Sequence, residues 1–223
     1  MWDLSKHERL EMEVLDGLNA LKLLDHLVFC GGTMLRLCHE LNRYSVDLDF
    51  WFLNADRPDA VFAGVKDYLK EKYILKTARH TQKGMLFEFT VKGYPRRLKI
   101  EIRKTKERPA LEDKIAYSRF SNVQVPVRGA TLEDMMKAKI ETFLRRGEIR
   151  DVFDIEFLVK KGVRIRADKK QLLSMQKHIR RFRANDYRIT LGSLLEFKER
   201  QYYRKVNFRL VHEKIEEVLE TGK

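Results

Sequence analysis

Hydrophobic and polar positions follow two different periods along this chain, and the change of period divides it. Leu10, Val14, Leu18 and Leu21 recur at helical spacing, which predicts an opening amphipathic helix over residues 5–24. Leu27-Val28-Phe29-Cys30 is a short apolar run of strand type. It leads into Gly31-Gly32-Thr33 and a helix over Met34–Asn42, with Thr33 placed to cap it. Ser45–Phe52 alternates polar and apolar like a strand, so a strand is expected with Val46, Leu48 and Phe50 toward the core. A turn at Asn54–Pro58 should open a helix near 58–72, followed by strand-like segments at about 73–79, 85–92 and 96–103. Residues 104–121 are polar and show no clear period, and 122–127 read as an added edge strand. From Thr131 the period becomes helical throughout, over 132–146, 150–161, about 168–183, 190–203 and 206–220. Thr131 followed by Asp134 resembles a capping arrangement. The expected fold is α+β: a small mixed sheet with flanking helices in residues 1–128, then a helical half in 129–223.

Composition narrows the class. At 223 residues the chain can bury a real core, and no apolar run approaches the length of a membrane span. The charged start, Trp2-Asp3-Leu4-Ser5-Lys6, is unlike a signal peptide. Cys30 and Cys38 form no CxxC and the histidines no HxxxH pair, so the two cysteines read as fillers of a reduced, cytoplasmic protein. The formal charge of +13 is uneven. Residues 126–223 hold 24 Lys/Arg against 15 Asp/Glu, and within 160–188 there are 11 basic residues but only Asp168 and Asp186 as acids. Ion-pair-rich surfaces of thermophiles intersperse their signs; a local excess of one sign fits a polyanion partner better, most simply RNA. Phe182 and Tyr187 lie among these charges as candidate stacking groups.

The chemistry concentrates in two places. On the strand 45–52, Asp47 and Asp49 point the same way, and aligned carboxylates repel unless a cation lies between them. Hard divalent ions such as Mg²⁺ or Mn²⁺ take one or two carboxylates plus substrate phosphates. A glycine turn feeding a helix start, as at Gly31-Gly32-Thr33, offers backbone N–H groups to a phosphate. Further on, Arg97–Arg103 alternates, with Lys99, Glu101 and Arg103 on one face. In the helix 132–146, Lys139 falls about 60° from Met136, at the edge of the apolar stripe, where it either snorkels or enters a site. Lys137 on the other flank competes for the role. Arg150, Asp151 and Asp154 share one face of a mostly apolar, buried helix, where they either act chemically or pair to hold the fold.

Gly31-Gly32-Thr33…Asp47-Leu48-Asp49 resembles the signature of DNA polymerase β-type nucleotidyltransferases. The wider pattern, Gly-Gly-Thr-Met-Leu-Arg-Leu…Arg43-Tyr-Ser45-Val-Asp-Leu-Asp-Phe with a later Arg150-Asp151-Val-Phe-Asp154, resembles the AbiEii/AbiGii toxin branch over roughly residues 25–160. The resemblance implies a polymerase-β-type core that transfers NMP from NTP with release of pyrophosphate, as the toxin of a toxin–antitoxin pair. It implies a tRNA 3′ end as acceptor and a cognate antitoxin as partner. Glu101 would join Asp47 and Asp49 as third metal ligand, although the branch often has Asp there. Gly31, Gly32, Thr33, Arg43, Ser45, Arg150 and Asp154 would contact nucleotide, with Asp151 in catalysis and Lys139 or Lys137 neutralising phosphate charge. The second motif of the branch is usually Lys-Asp-x-x-Asp, so Arg150 departs from it. Two rivals remain: transfer to a protein or small-molecule acceptor, and a non-catalytic RNA-binding protein on the same scaffold.

Overall fold

A computed structural model describes residues 4–53, 57–92, 94, 96–104 and 109–221. The expected charged start at Trp2-Asp3, most of the turn at 54–58 and the segment 105–108 lie outside the described residues. The chain divides into two compact units, Met1–Thr131 and Leu132–Lys223.

In the first unit seven described strands form one mixed sheet: β1 (Leu27–Cys30), β2 (Asp47–Phe52), β3 (Ile74–Thr81), β4 (Gly84–Thr90), β5 (Leu98–Lys104), β6 (Leu111–Tyr117) and β7 (Gln124–Ala130). Their order is β3-β4-β5-β2-β1-β7-β6. β2 runs antiparallel to β1 and parallel to β5, while β7 runs parallel to β1. Strict alternation makes one face of the central strands apolar. Leu48 and Phe50 of β2 lie beside Ile100 and Ile102 of β5, which in turn face Phe87 and Met85 of β4, all of them buried. Three helices accompany the sheet: α1 (Leu4–Ala20), α2 (Gly31–His39) and α3 (Pro58–Lys72). Pro58 opens α3, where its missing N–H and fixed φ cost nothing.

Three expectations need correction here. The first helix stops at Ala20 because Lys22 takes a left-handed conformation, which leaves Leu21 54% exposed instead of on the buried stripe. The segment 122–127 is not an edge: β7 lies between β1 and β6 and extends to Ala130. The true edge, β6, falls in the stretch that showed no period, because Ala116 alone in that strand is fully buried and gives no alternation to read. The helix after Cys30 begins at Gly31 and has Cys30 as its cap residue, so Thr33 stands inside the first turn.

The second unit is helical: α4 (Leu132–Arg146), α5 (Ile149–Lys160), α6 (Lys169–Ile179), α7 (Phe197–Val206) and α8 (Arg209–Thr221). Asp168 and Gln171 form a reciprocal capping box that starts α6. The helix expected at 190–203 is instead a wide helical turn, Asp186–Leu191, a tight turn, Gly192–Leu194, and then α7. Leu191, Leu194 and Leu195 are all buried at the spacing of one helical face, but the backbone tightens at Gly192–Leu194 and is extended at Leu195, which ends this turn before α7. Gly192 permits the close turn, since a Cβ there would stand 2.9 Å from the Tyr187 carbonyl oxygen. The rings of Phe182, Tyr187, Tyr203 and Phe208 pack together in this unit's core. Phe182 and Tyr187 are therefore packing groups, not surface platforms; both contact Phe208, which is fully buried.

Candidate active site

Local sequence explains why the polar face of the sheet is crowded with charge. β2 places Asp47 and Asp49 on the half-exposed side, and parallel pairing sets Asp47 beside Lys99 and Asp49 beside Glu101. Cys30, the last residue of β1, faces Asp49 from the other flank. The chain then turns into α2 through Gly31, whose φ is +78°, a conformation that favours glycine. A Cβ at Gly31 would lie 2.5 Å from Asp49 Oδ2, and one at Gly32 would lie 2.5 Å from the Arg43 guanidinium and 2.9 Å from Ser45 Oγ. The glycine pair thus lets the start of α2 approach the Asp47/Asp49 strand without a side chain between them. The first N–H groups of a helix have no intrahelical acceptor, so this start carries donors and the positive end of the helix dipole.

Thr33 is fully buried and donates its hydroxyl to the Asp47 carbonyl, which ties α2 to β2. Arg43 is also buried and donates from Nη1 to the Tyr44 carbonyl at 2.8 Å. His7 of α1 donates from Nε2 to the Val46 carbonyl at 3.0 Å, fixing the backbone one residue before Asp47. Burial lowers the pKa of the His7 ring. Beside it, Glu11 is completely buried; burial first, then the charges of Glu8 and Asp47, push its carboxyl well above the usual carboxylate range.

Lys99 and Arg103 were not among the residues expected to matter. Lys99 Nζ lies 3.4 Å from Asp47 Oδ2 and 3.5 Å from Glu101 Oε2, and Arg103 Nε donates to Glu101 Oε1 at 2.7 Å. Burial would raise the Glu101 carboxyl, but the hydrogen bond and charge of Arg103, with Lys99, outweigh it and hold the group below the ordinary glutamate range. The signal was present in the alternation of Lys99, Glu101 and Arg103 on one strand face. Among the described residues no three His, Cys, Asp or Glu side chains come together as a metal-holding group. Glu101 stands beside Asp49 on the same strand face, with Lys99 and Arg103 each engaging one of its oxygens. The Asp47/Asp49 pair by itself still has the hard, aligned oxygen donors that suit a divalent ion sharing its shell with phosphate oxygens.

In the second unit a separate ionic cluster is buried. Asp151 and Asp154 of α5 are fully buried, and Lys139 of α4 is 8% exposed. Lys139 Nζ lies 2.6 Å from Asp154 Oδ2 and 3.7 Å from Asp151 Oδ1, while Arg146 makes two 2.7 Å hydrogen bonds to Asp151. Arg150 turns to Glu148 instead, at 2.5 Å, because Arg146 in the last turn of α4 already occupies Asp151. Lys137 is exposed and lines a cleft of about 470 Å³ with Arg164 and Arg166. The same helix thus separates the two lysines: one is held by buried acids, the other faces the cleft.

A family model described as the nucleotidyl transferase AbiEii toxin, type IV toxin–antitoxin system, matches residues 13–217. The chain belongs to this family. As an AbiEii-family chain it shares its fold with two solved structures from Helicobacter pylori. One, a candidate nucleotidyltransferase, is 21% identical with a TM-score of 0.56, covering 94% of this chain and 97% of its own. The other, JHP933, is 20% identical with a TM-score of 0.56, covering 99% and 97%. The nucleotidyltransferase toxin MenT4 (Rv2826c) of Mycobacterium tuberculosis H37Rv is 16% identical with a TM-score of 0.48, covering 93% and 88%. No curated protein matches the sequence. Among the described residues no helix is long and apolar enough to cross a membrane.

Proposed function

We propose that this AbiEii-family chain transfers a nucleoside monophosphate from an NTP to RNA, with a tRNA 3′ end as the acceptor, and that a cognate antitoxin restrains it. The observation that carries the reading is the junction of the Gly31-Gly32 helix start with the Asp47/Asp49 face, where only glycine leaves room for the carboxylate. In the reaction an acceptor hydroxyl oxygen bonds to the α-phosphorus, the bond from that phosphorus to the bridging oxygen of the β-phosphate breaks, and pyrophosphate leaves. The hydroxyl proton passes to a carboxylate of the Asp47/Asp49 face or to solvent. Asp47 and Asp49 would hold a Mg²⁺ or Mn²⁺ ion, which when bound neutralises phosphate charge and favours the attacking oxyanion. The N–H groups of Gly31, Gly32 and Thr33 would receive the phosphate oxygens, with Arg43 and Ser45 bracing that cradle. Lys139, held by Asp154 and Asp151, would supply fixed positive charge to the triphosphate; Lys137 is the competing lysine, and Arg150, through Glu148, a lesser contributor.

RNA is favoured as acceptor by the charge of the second unit. On α6, Lys169, Lys170 and Lys177 surround the exposed Leu173 with no acid between them. On α7, the exposed positions are Phe197, Lys198, Gln201, Tyr202, Arg204 and Lys205, which at 3.6 residues per turn fill an arc of roughly 160° free of acids. Cations interleaved with exposed rings suit a nucleic-acid strand. Incubating the protein with each labelled NTP, Mg²⁺ and total tRNA tests the reading. Label should appear on tRNA and weaken when Lys169, Lys170 and Lys177 are changed to Gln, with a flatter salt dependence of binding as fewer counterions are released. Label on protein or small molecules only would move the chemistry to the rival acceptor, and no labelling with any NTP would favour the non-catalytic reading.

A further inference from the structure

The polar face shared by β2 and β5 carries two cations among its acids. Asp47, Asp49 and Glu101 supply the carboxylates, Lys99 and Arg103 the positive charge, and the register alternates them: Asp47 opposite Lys99, Asp49 opposite Glu101, with Arg103 two residues further on. Glu101 gives one oxygen to each cation, Oε2 to Lys99 at 3.5 Å and Oε1 to Arg103 at 2.7 Å. Lys99 also reaches Asp47 at 3.4 Å. The formal charge of these five groups is −1. Such a face can hold one divalent ion, its remaining coordination filled by water or phosphate oxygens; a second would have to compete with an ammonium already seated between two carboxylates.

We propose that Lys99 is a resident cation that limits this face to a single divalent ion, with Glu101 serving as the anchor of Lys99 and Arg103. The inference rests on the metal reading of Asp47 and Asp49 given above. Lys99 Nζ sits between the Asp47 and Glu101 carboxylates, within 3.5 Å of an oxygen of each. Its position is set by strand register, since it stands one strand over from Asp47 on the same face. A neutral side chain at position 99 would leave three carboxylates facing Arg103 alone, a set able to take more metal.

Titration of the full-length protein with Mn²⁺ alone, followed by the paramagnetic resonance of free Mn²⁺, tests the proposal. Wild type should bind one ion at this face. Lys99→Gln should bind a second ion, or bind the first about tenfold or more tightly, while Lys99→Arg should match wild type. Asp47→Asn identifies the site by abolishing binding. Two ions bound by wild type would overturn the proposal without any variant. One ion at unchanged affinity in Lys99→Gln, with binding still lost in Asp47→Asn, would overturn the role of Lys99 alone. No binding by wild type or Lys99→Gln would overturn both the role of Lys99 and the metal reading beneath it. Thermal unfolding of each variant confirms that the folded protein is being titrated.

Discussion

The polar face of the sheet and the ionic cluster of the helical unit are built from the same residue types, yet they differ in what surrounds them. On the sheet, Asp47, Lys99 and Glu101 have side chains about a quarter to a third exposed, at 34%, 32% and 26%. In the helical unit Asp151 and Asp154 have no exposed surface, and the Lys139 side chain is 11% exposed. A half-exposed ion pair is worth little to the fold and can exchange its partner for a ligand. A buried pair is costly to break, because one partner is left charged in a medium that solvates it poorly. The sheet face is thus the one able to trade its partners for a ligand, the role proposed for it above, while Asp151 and Asp154 hold Lys139 in place.

The comparison is broken most directly by removing a buried anchor. Asp154→Ala should lower stability by about 3–5 kcal/mol, as expected when Lys139 loses its closest partner inside the unit; denaturant unfolding measures this. A change within 1 kcal/mol would mean that the cluster is far more open to water than its burial indicates. Lys139→Ala comes next, with an expected loss of about 10²–10³ in transfer rate, as for one preorganised charge, measured on protein that is still folded. Lys137→Ala should be mild. The reverse ranking would transfer the role to Lys137.

Smaller effects sharpen the sheet side. Gly31→Ala should cost about 1–2 kcal/mol for the left-handed backbone, and transfer should fall because the new methyl displaces the Asp49 carboxylate. A variant with normal activity would remove the close approach from the account. Glu101→Gln should be the mildest, about 1 kcal/mol or less at neutral pH for a partly exposed pair. The sign follows from the lowered folded pKa of Glu101. Its contribution is present above the ordinary glutamate pKa and fades as pH falls through the lower folded value, so wild type and variant should converge only once the pH is below that folded value. A difference that persisted in acid would point to packing instead of charge.

Much of this was legible in the chain. Polar and apolar alternation identified β2 and the face of its aspartates, because a two-residue period has one reading when one side is buried. The helices α4 and α5 were legible from long apolar stripes ended by charge. What escaped was set by partners distant in sequence. β6 has almost no buried side and so no period, and without it β7 looked like an edge. Thr33 resembled a cap until β2 supplied its acceptor, the Asp47 carbonyl. Phe182 and Tyr187 looked like surface rings amid basic residues, but Phe208, more than twenty positions on, packs against both. Lys99 and Arg103 were readable in the alternation, yet their engagement with Glu101 and Asp47 depends on the β2–β5 register.

The most direct test compares Asp47→Asn and Asp49→Asn with wild type in one experiment, reading both labelled-nucleotide transfer to tRNA and the thermal unfolding midpoint. Each substitution removes a charged oxygen from the half-exposed face while leaving Leu48 and Phe50 in the core. Transfer should be lost in both variants while the midpoint stays within a few degrees of wild type, the shift expected for about 1 kcal/mol or less. Folded variants that retained near-normal transfer would contradict the assignment of this face to the chemistry.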